Sequence, residues 1–296
     1  MFGNQVFSDI NQILNQRFEE KKALIAVHRG THAGNIVENT IPAFETALQM
    51  GGDLFEFDLI RSTDGAIYAF HDGMEPRNLG CTENIKTMSS AQIDRLHYRN
   101  ADWEISGVHV EKFENILEHF TGNELYNIDR AWDILPQITN LLKKYPNTIR
   151  QAIIKAPVRK ELLAFFSACP EKYMFMPVVR NMEEVHTALS CPNINLVGME
   201  VIAKTSGDEL YQQENLDFIL EHGLFVWANA ITLSGLEESK LFGNLNDDLA
   251  LLEGYGLSWG EALRKGVRIL QTDWPMQLCQ FRDSYFHLNP TNRLPQ

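Results

Sequence analysis

The feature of this sequence that most restricts its fold is an alternation. Short β-branched or aromatic apolar runs occur at Ala23–His28, Leu54–Leu59, Glu124–Asp129, Ile149–Lys155, Tyr173–Val179, Ile194–Val201, Leu224–Asn229 and Val267–Asp273. They have strand length, and most lack an internal breaker; Pro177 and Gly198 are the exceptions. Between them the spacing predicts helices over Pro42–Met50, Phe113–Phe120, Ile134–Tyr145, Lys160–Cys169, Met182–Leu189 and Asn215–Glu221. Strands separated by helices pair in parallel, because a tight turn cannot return the chain to the same end of a sheet. Eight such units in 296 residues predict an α/β fold closed into a (β/α)8 TIM barrel rather than an open doubly wound sheet. The first strand runs into His28-Arg29-Gly30 instead of a Gly-x-Gly-x-x-Gly turn, which argues against a dinucleotide fold.

Three segments add to the repeat, all within one domain spanning 1–296. From Val6 to Lys22, the residues Val6, Phe7, Ile10, Ile13, Leu14 and Phe18 recur at helical spacing, predicting an N-terminal helix over the bottom of the barrel. A polar insertion after the second strand, Gly73–Glu111, and a long excursion, Leu233–Gly266, exceed ordinary connections and belong at the active face. In the latter, Leu241, Phe242, Leu249, Leu251 and Leu252 lie near helical spacing and are expected to be buried.

Charge and cysteine usage exclude several classes of function. Twenty-six basic residues against 39 acidic ones give a net charge of −13, and such a diffuse excess repels nucleic-acid phosphates. No apolar run reaches the ~18–20 residues of a membrane span. Four scattered cysteines (Cys81, Cys169, Cys191, Cys279) lack zinc-ligand spacing and read as reduced thiols. With no secretory signal visible in Met1–Asp9, a cytoplasmic protein is expected.

The chemistry concentrates around Glu56-Phe57-Asp58. Two apart on a strand, the carboxylates share one face, while Phe55, Phe57 and Leu59 share the other. Inward carboxylates among apolar neighbours require positive charge between them, and a divalent cation with oxygen ligands fits. If Asp64-Gly65 is a two-residue hairpin turn, Asp58 stands directly opposite His71, and Glu56, Asp58 and His71 meet on one surface. At strand ends stand His28, a proton carrier, and Arg29, a fork for phosphate. Asp129 ends the third strand and Lys155 the fourth, adding a carboxylate and an ammonium. Together these residues make a set suited to phosphoester hydrolysis.

The chain resembles the glycerophosphodiester phosphodiesterase family over Ala23 to about Leu278. The resemblance rests on His28-Arg29-Gly30, Glu38-Asn39-Thr40 followed by Pro42-Ala43-Phe44, Glu56-Phe57-Asp58, His71-Asp72 and Thr272-Asp273-Trp274-Pro275. It implies a TIM barrel, His28 and His71 as the acid/base pair, Glu56, Asp58 and Asp129 as ligands of Mg²⁺ or Ca²⁺, and Arg29 on the phosphate. Two departures stand out. Asp129 replaces the family's Glu, and Ala131 replaces its Lys; Lys155 either supplies that cation or pairs with a surface carboxylate. Venom-type sphingomyelinase D enzymes share the barrel and also use an Asp ligand.

Glu200, Trp227 and Asn229 lie near later strand ends, and Trp227 and Asn229 share a face that could line the pocket for the alcohol moiety. His32, His97, His109, His119, His186, His222 and His287 fit no constellation. The reading is metal-dependent hydrolysis of a small-molecule glycerophosphodiester to sn-glycerol 3-phosphate and an alcohol. Two alternatives are a lysophospholipase D or sphingomyelinase-D-like lipid phosphodiesterase, and a barrel that binds a phosphodiester without turnover.

Overall fold

The computed structural model describes residues 1–234, 236 and 239–288. The eight apolar runs are parallel strands: β1 (Leu24–Val27), β2 (Leu54–Arg61), β3 (Leu125–Asp129), β4 (Ala152–Pro157), β5 (Met174–Val179), β6 (Gly198–Val201), β7 (Phe225–Asn229) and β8 (Val267–Thr272). Neighbours pair in chain order, and β1 pairs with both β2 and β8, so the sheet closes into a (β/α)8 barrel. Helices Ile41–Gln49, Phe113–His119, Leu135–Leu142, Lys160–Ala168, Met182–Ser190 and Gln213–Glu221 fall where the spacing put them. The fourth strand starts later than expected because Thr148–Gln151 forms a helical turn ahead of Ala152.

The alternation along β2 sorts its side chains as predicted. Phe55 and Phe57 point outward, with Phe44 stacked on Phe55 at 4.4 Å between ring centroids. Inward, the same strand carries Glu56 and Asp58. At the barrel bottom the helix Gln12–Lys21 presses Phe18 against Phe2 and the Phe225 ring of β7, at 4.6 and 5.7 Å. Val6 does not join that face; it is 80% exposed, because the segment ahead of the helix is a 3-10 turn. After β1, Gly30 has φ +72°, and a Cβ there would lie 2.7 Å from the Ala43 carbonyl carbon. Only glycine lets this strand end rest on the helix Ile41–Gln49.

The hairpin after β2 corrects one expectation. Leu59 pairs with Ala69, Ile60 with Tyr68 and Arg61 with Ile67, so the loop is Thr63-Asp64-Gly65, three residues rather than two. Asp58 therefore stands opposite Phe70, not His71; the Phe70 N–H donates to the Asp58 carbonyl at 3.0 Å. The cause is Asp64, whose carboxylate accepts from the Ser62 hydroxyl at 2.6 Å and from the Ser90 N–H at 2.9 Å. These bonds pull Asp64 out of a tight turn, and Gly65 takes the left-handed position (φ +95°) of a three-residue loop. His71 still comes beside Asp58, because the strand ends at Ala69 and the chain leaves the ladder.

The excursion after this hairpin contains helices Glu75–Asn78 and Ser90–Ile93 and a small antiparallel pair, His97–Arg99 with Ile105–His109. Tyr68, Phe70, Ile85, Ile93 and Tyr98 form its own small core. The later excursion holds helices Asp247–Leu252 and Trp259–Arg264. There Phe242 is buried, but Leu252 is 81% exposed, against the expectation that all five apolar residues are covered. Its helix ends at that residue, so no neighbouring turn lies over it. No helix of the described residues is long and apolar enough to cross a membrane.

Candidate active site

The strand ends bring the ionisable residues together at the C-terminal face of the barrel, where parallel β/α barrels carry their chemistry. Asp58 on β2 and Asp129 on β3 are register partners, and Glu56 lies one turn of the pleat deeper. Ligand atoms of Glu56, Asp58 and Asp129 all lie within 4.8 Å of one another. That spacing suits one oxygen-coordinated cation, and Glu56 and Asp58 are 1% and 3% exposed. Without such an ion, burial, with the Asp58 charge adding, pushes the Glu56 carboxyl up to about 8.

Arg29 organises the β1–β2 side. Its backbone is in the left-handed region, φ 54°, and its N–H donates to Glu56 Oε2 at 3.1 Å. Nη1 donates to Glu38 Oε1 at 2.9 Å, while Nε lies 3.1 Å from Asp58 Oδ2. Asn39 (φ 59°) brackets the same Asp58: its amide donates to Oδ2 at 3.3 Å and its carbonyl accepts the Asp58 N–H at 3.2 Å. Asn78, from the excursion, completes Glu38 at 2.9 Å. Non-glycine residues in this backbone region cost about 1–3 kcal/mol each and persist where surrounding contacts hold them.

The two histidines are held by their Nδ1 atoms. His28 Nδ1 lies 3.0 Å from Asp273 Oδ1, and His71 Nδ1 lies 2.8 Å from the Asp72 carbonyl. Their environments differ in sign. Burial lowers the His28 pKa, yet Asp273 and Glu56 outweigh it and the net shift is upward. For His71, burial wins over the attraction of Asp58 and the net shift is downward. Asp273 is itself held: its N–H donates to Asp247 Oδ2 at 3.0 Å, and Asp247 also accepts from Thr272 and from the Trp259 indole, both at 2.9 Å.

Lys155 organises the other side. It is 3% exposed, with Nζ 2.6 Å from Asp129 Oδ2 and 2.9 Å from Glu200 Oε2. It pairs with the buried Glu200 and the half-buried Asp129, not with a fully exposed surface carboxylate. Glu200 Oε1 accepts from Asn229 at 2.6 Å, and Asn229 Oδ1 accepts the Trp227 N–H at 2.9 Å. Trp227 has no exposed surface, so it backs Asn229 instead of lining open space. Asp129 Oδ1 accepts the N–H of Arg130, itself at φ 54°, at 2.6 Å.

Sequence reasoning missed Asp247, Gln271 and Asn78 as supports. Gln271 Nε2 reaches Glu56 at 3.4 Å and Asn78 lies forty residues beyond Glu38. Neither carries a local signal. Asp273 had one, since it sits in the same Thr-Asp-x-Pro segment already singled out. Of the histidines set aside, His119 pairs with Glu45 at 2.8 Å and His97 packs on His109 at 4.1 Å, away from the carboxylates.

Comparison with known proteins agrees with the barrel fold. A sequence model of the glycerophosphoryl diester phosphodiesterase family matches residues 28–189, and one of a domain of unknown function matches 175–282. The chain is 26% identical over 227 residues to a glycerophosphodiester phosphodiesterase of Bacillus subtilis (strain 168), covering 69% of this chain and 75% of that one. A glycerophosphoryl diester phosphodiesterase of Parabacteroides distasonis shares the fold at a TM-score of 0.70 and 18% identity, over 88% of this chain and 86% of that one. An Oleispira antarctica phosphodiesterase, solved with the product sn-glycerol-3-phosphate, does so at 0.63 and 15%, over 88% and 96%. The chain belongs to the glycerophosphoryl diester phosphodiesterase family.

Proposed function

We propose that this enzyme hydrolyses glycerophosphodiesters to sn-glycerol 3-phosphate and an alcohol, with Glu56, Asp58 and Asp129 holding Mg²⁺ or Ca²⁺. The observation that carries the reading is the convergence of those three carboxylates within 4.8 Å at a barrel mouth that also presents His28 and His71. The residues fit the ion: three hard oxygen donors converge, and two of them, Glu56 and Asp58, are buried where paired charge is needed. When bound, the ion polarises a phosphoryl oxygen and lowers the pKa of a nearby hydroxyl.

The protein supplies the remainder. One histidine takes the proton of the attacking hydroxyl, and the other gives one to the leaving alkoxide. With both Nδ1 atoms tied to oxygen acceptors, Nε2 is the working nitrogen of each ring. Arg29 and Lys155 supply positive charge beside the phosphate, and Asn229 with Trp227 behind it fixes the Lys155–Glu200 pair. Four free thiols support a cytoplasmic location. The test is release of glycerol 3-phosphate from glycerophosphocholine by the native enzyme and by His28→Ala and His71→Ala. Each variant is expected to lose on the order of 10³-fold or more in turnover while melting like the native protein. Retained activity in a folded variant contradicts the assignment.

A second reading rests on a cavity of about 440 Å³ beside Asp273, lined by Thr31, His32, Met50, Trp274 and Met276. Trp274 and Met276 are each 44% exposed, an apolar wall that an acyl chain would cover. Turnover of a lysophospholipid but not of glycerophosphocholine selects this lysophospholipase D reading.

A further inference from the structure

On the far side of Asp129 from Arg29 lies a cavity of about 490 Å³ along the ends of β3 to β6, whose lining includes Asp129, Lys155 and Glu200. Each of the three successive strands β3, β4 and β5 is followed at its mouth by an arginine: Arg130, Arg159 and Arg180. Arg130 is partly neutralised, its Nε 3.2 Å from Asp72, which Lys86 also holds at 2.8 Å. Arg159 and Arg180 are exposed, and among the described residues neither guanidinium has a hydrogen-bonded or ion-paired partner. The acid nearest to them in the lining, Glu184, accepts the backbone N–H of Arg180 at 2.6 Å. In a chain of net charge −13, unpaired guanidinium groups lining one cavity make a local positive field that attracts an anion.

Resting on the hydrolase reading above, we infer that this cavity receives the alcohol moiety of the diester and selects one that carries its own phosphate. The scissile phosphate belongs with the carboxylates and histidines, so a second anion must come from one of the two groups it joins. Glycerol offers only hydroxyls and would leave Arg159 and Arg180 unpaired. A phosphate on the alcohol matches the guanidinium fork, which binds such oxygens in pairs. A quaternary ammonium finds no open aromatic face here, since Trp132, the aromatic ring in the lining, already faces Arg130 at 6.0 Å.

The matched pair glycerophosphoinositol and glycerophosphoinositol 4-phosphate isolates that one phosphate. Release of glycerol 3-phosphate from each, and from glycerophosphocholine, is followed with the metal-loaded enzyme and with Arg159→Gln/Arg180→Gln. Both arginines are exposed, so the variant is expected to melt like the native protein. The phosphorylated substrate is expected to show at least about tenfold higher kcat/KM than its partner, carried by KM, and the ratio to fall toward one in the variant. Equal kcat/KM for the pair, or a ratio unchanged in the variant, overturns the inference. Release from none of the three diesters overturns the hydrolase reading and this inference with it.

Discussion

The barrel mouth holds two buried cations, each set between two carboxylates, and they are built differently. Arg29 lies between Glu38 and Asp58, with Asn39 and Asn78 filling the remaining positions, and four of these five residues come from one stretch of chain ending at β2. Lys155 lies between Asp129 and Glu200, with Asn229 and Trp227 behind, the five residues coming from the four strands β3, β4, β6 and β7. A guanidinium fork fixed at several atoms is a rigid strut for the carboxylate it holds. An ammonium is a point charge with rotatable donors, able to shift between Asp129 and a new anion. Asp129 thus sits at the junction, one oxygen toward the carboxylate cluster and Lys155, the other on the Arg130 N–H.

The contrast can be broken from either side. The largest effect is expected from Glu56→Gln or Asp58→Asn, which remove a direct ligand. Residues one shell out cost roughly 10–100-fold in metal affinity, so calorimetric titration should show a loss beyond that range. Unchanged metal affinity would contradict the cluster as the cation site. Next comes Lys155→Met, which leaves the buried Glu200 and its neighbour Asp129 without their shared cation. Breaking such a buried pair should cost about 3–5 kcal/mol in denaturant unfolding of the chelated protein, with Lys155→Met/Glu200→Gln recovering part of it. No recovery would mean that Glu200 is not the partner that matters.

A smaller effect concerns pH. In metal-stripped protein the Glu56 pKa, raised by burial and by Asp58 from 4.5 to about 8, means that the folded chain keeps a proton the unfolded chain releases. This contribution to stability is present below about 4.5 and is lost as pH rises to about 8, on the order of a few kcal/mol. Glu56→Gln should flatten the slope of stability in that window, as should added metal; a slope unaffected by both contradicts the cause. The smallest effect is predicted for Lys86→Ala, which removes a half-exposed partner of Asp72. Its cost should stay below about 1 kcal/mol, measured by thermal melt, because solvent screens such pairs.

How far the sequence could be read follows the same division. Strand spacing and the alternation Phe55, Glu56, Phe57, Asp58 are periodic signals, and the barrel and the inward carboxylates follow from them. Apart from Asn78, the Arg29 side lies in short contiguous motifs, so those members were visible together. The hairpin register was not, because a side-chain bond from Asp64 to Ser90 sets the loop length across 26 residues. Nor were the partners of Lys155, since its pairing with Glu200 needs the curvature of the closed sheet to bring β4 and β6 within reach. Asp247, which holds Asp273 and through it His28, lies in an irregular excursion with no period to betray it.

On this reading three carboxylates and a metal ion serve a phosphodiester hydrolase. The most direct measurement is glycerol 3-phosphate release from glycerophosphocholine and glycerophosphoethanolamine by protein stripped with chelator and resupplied separately with Mg²⁺, Ca²⁺ and Mn²⁺. No release is expected from the stripped protein, with restoration by at least one ion and Glu56→Gln restored by none. Full release from stripped protein, or none with any ion while the fold is intact, would contradict this reading.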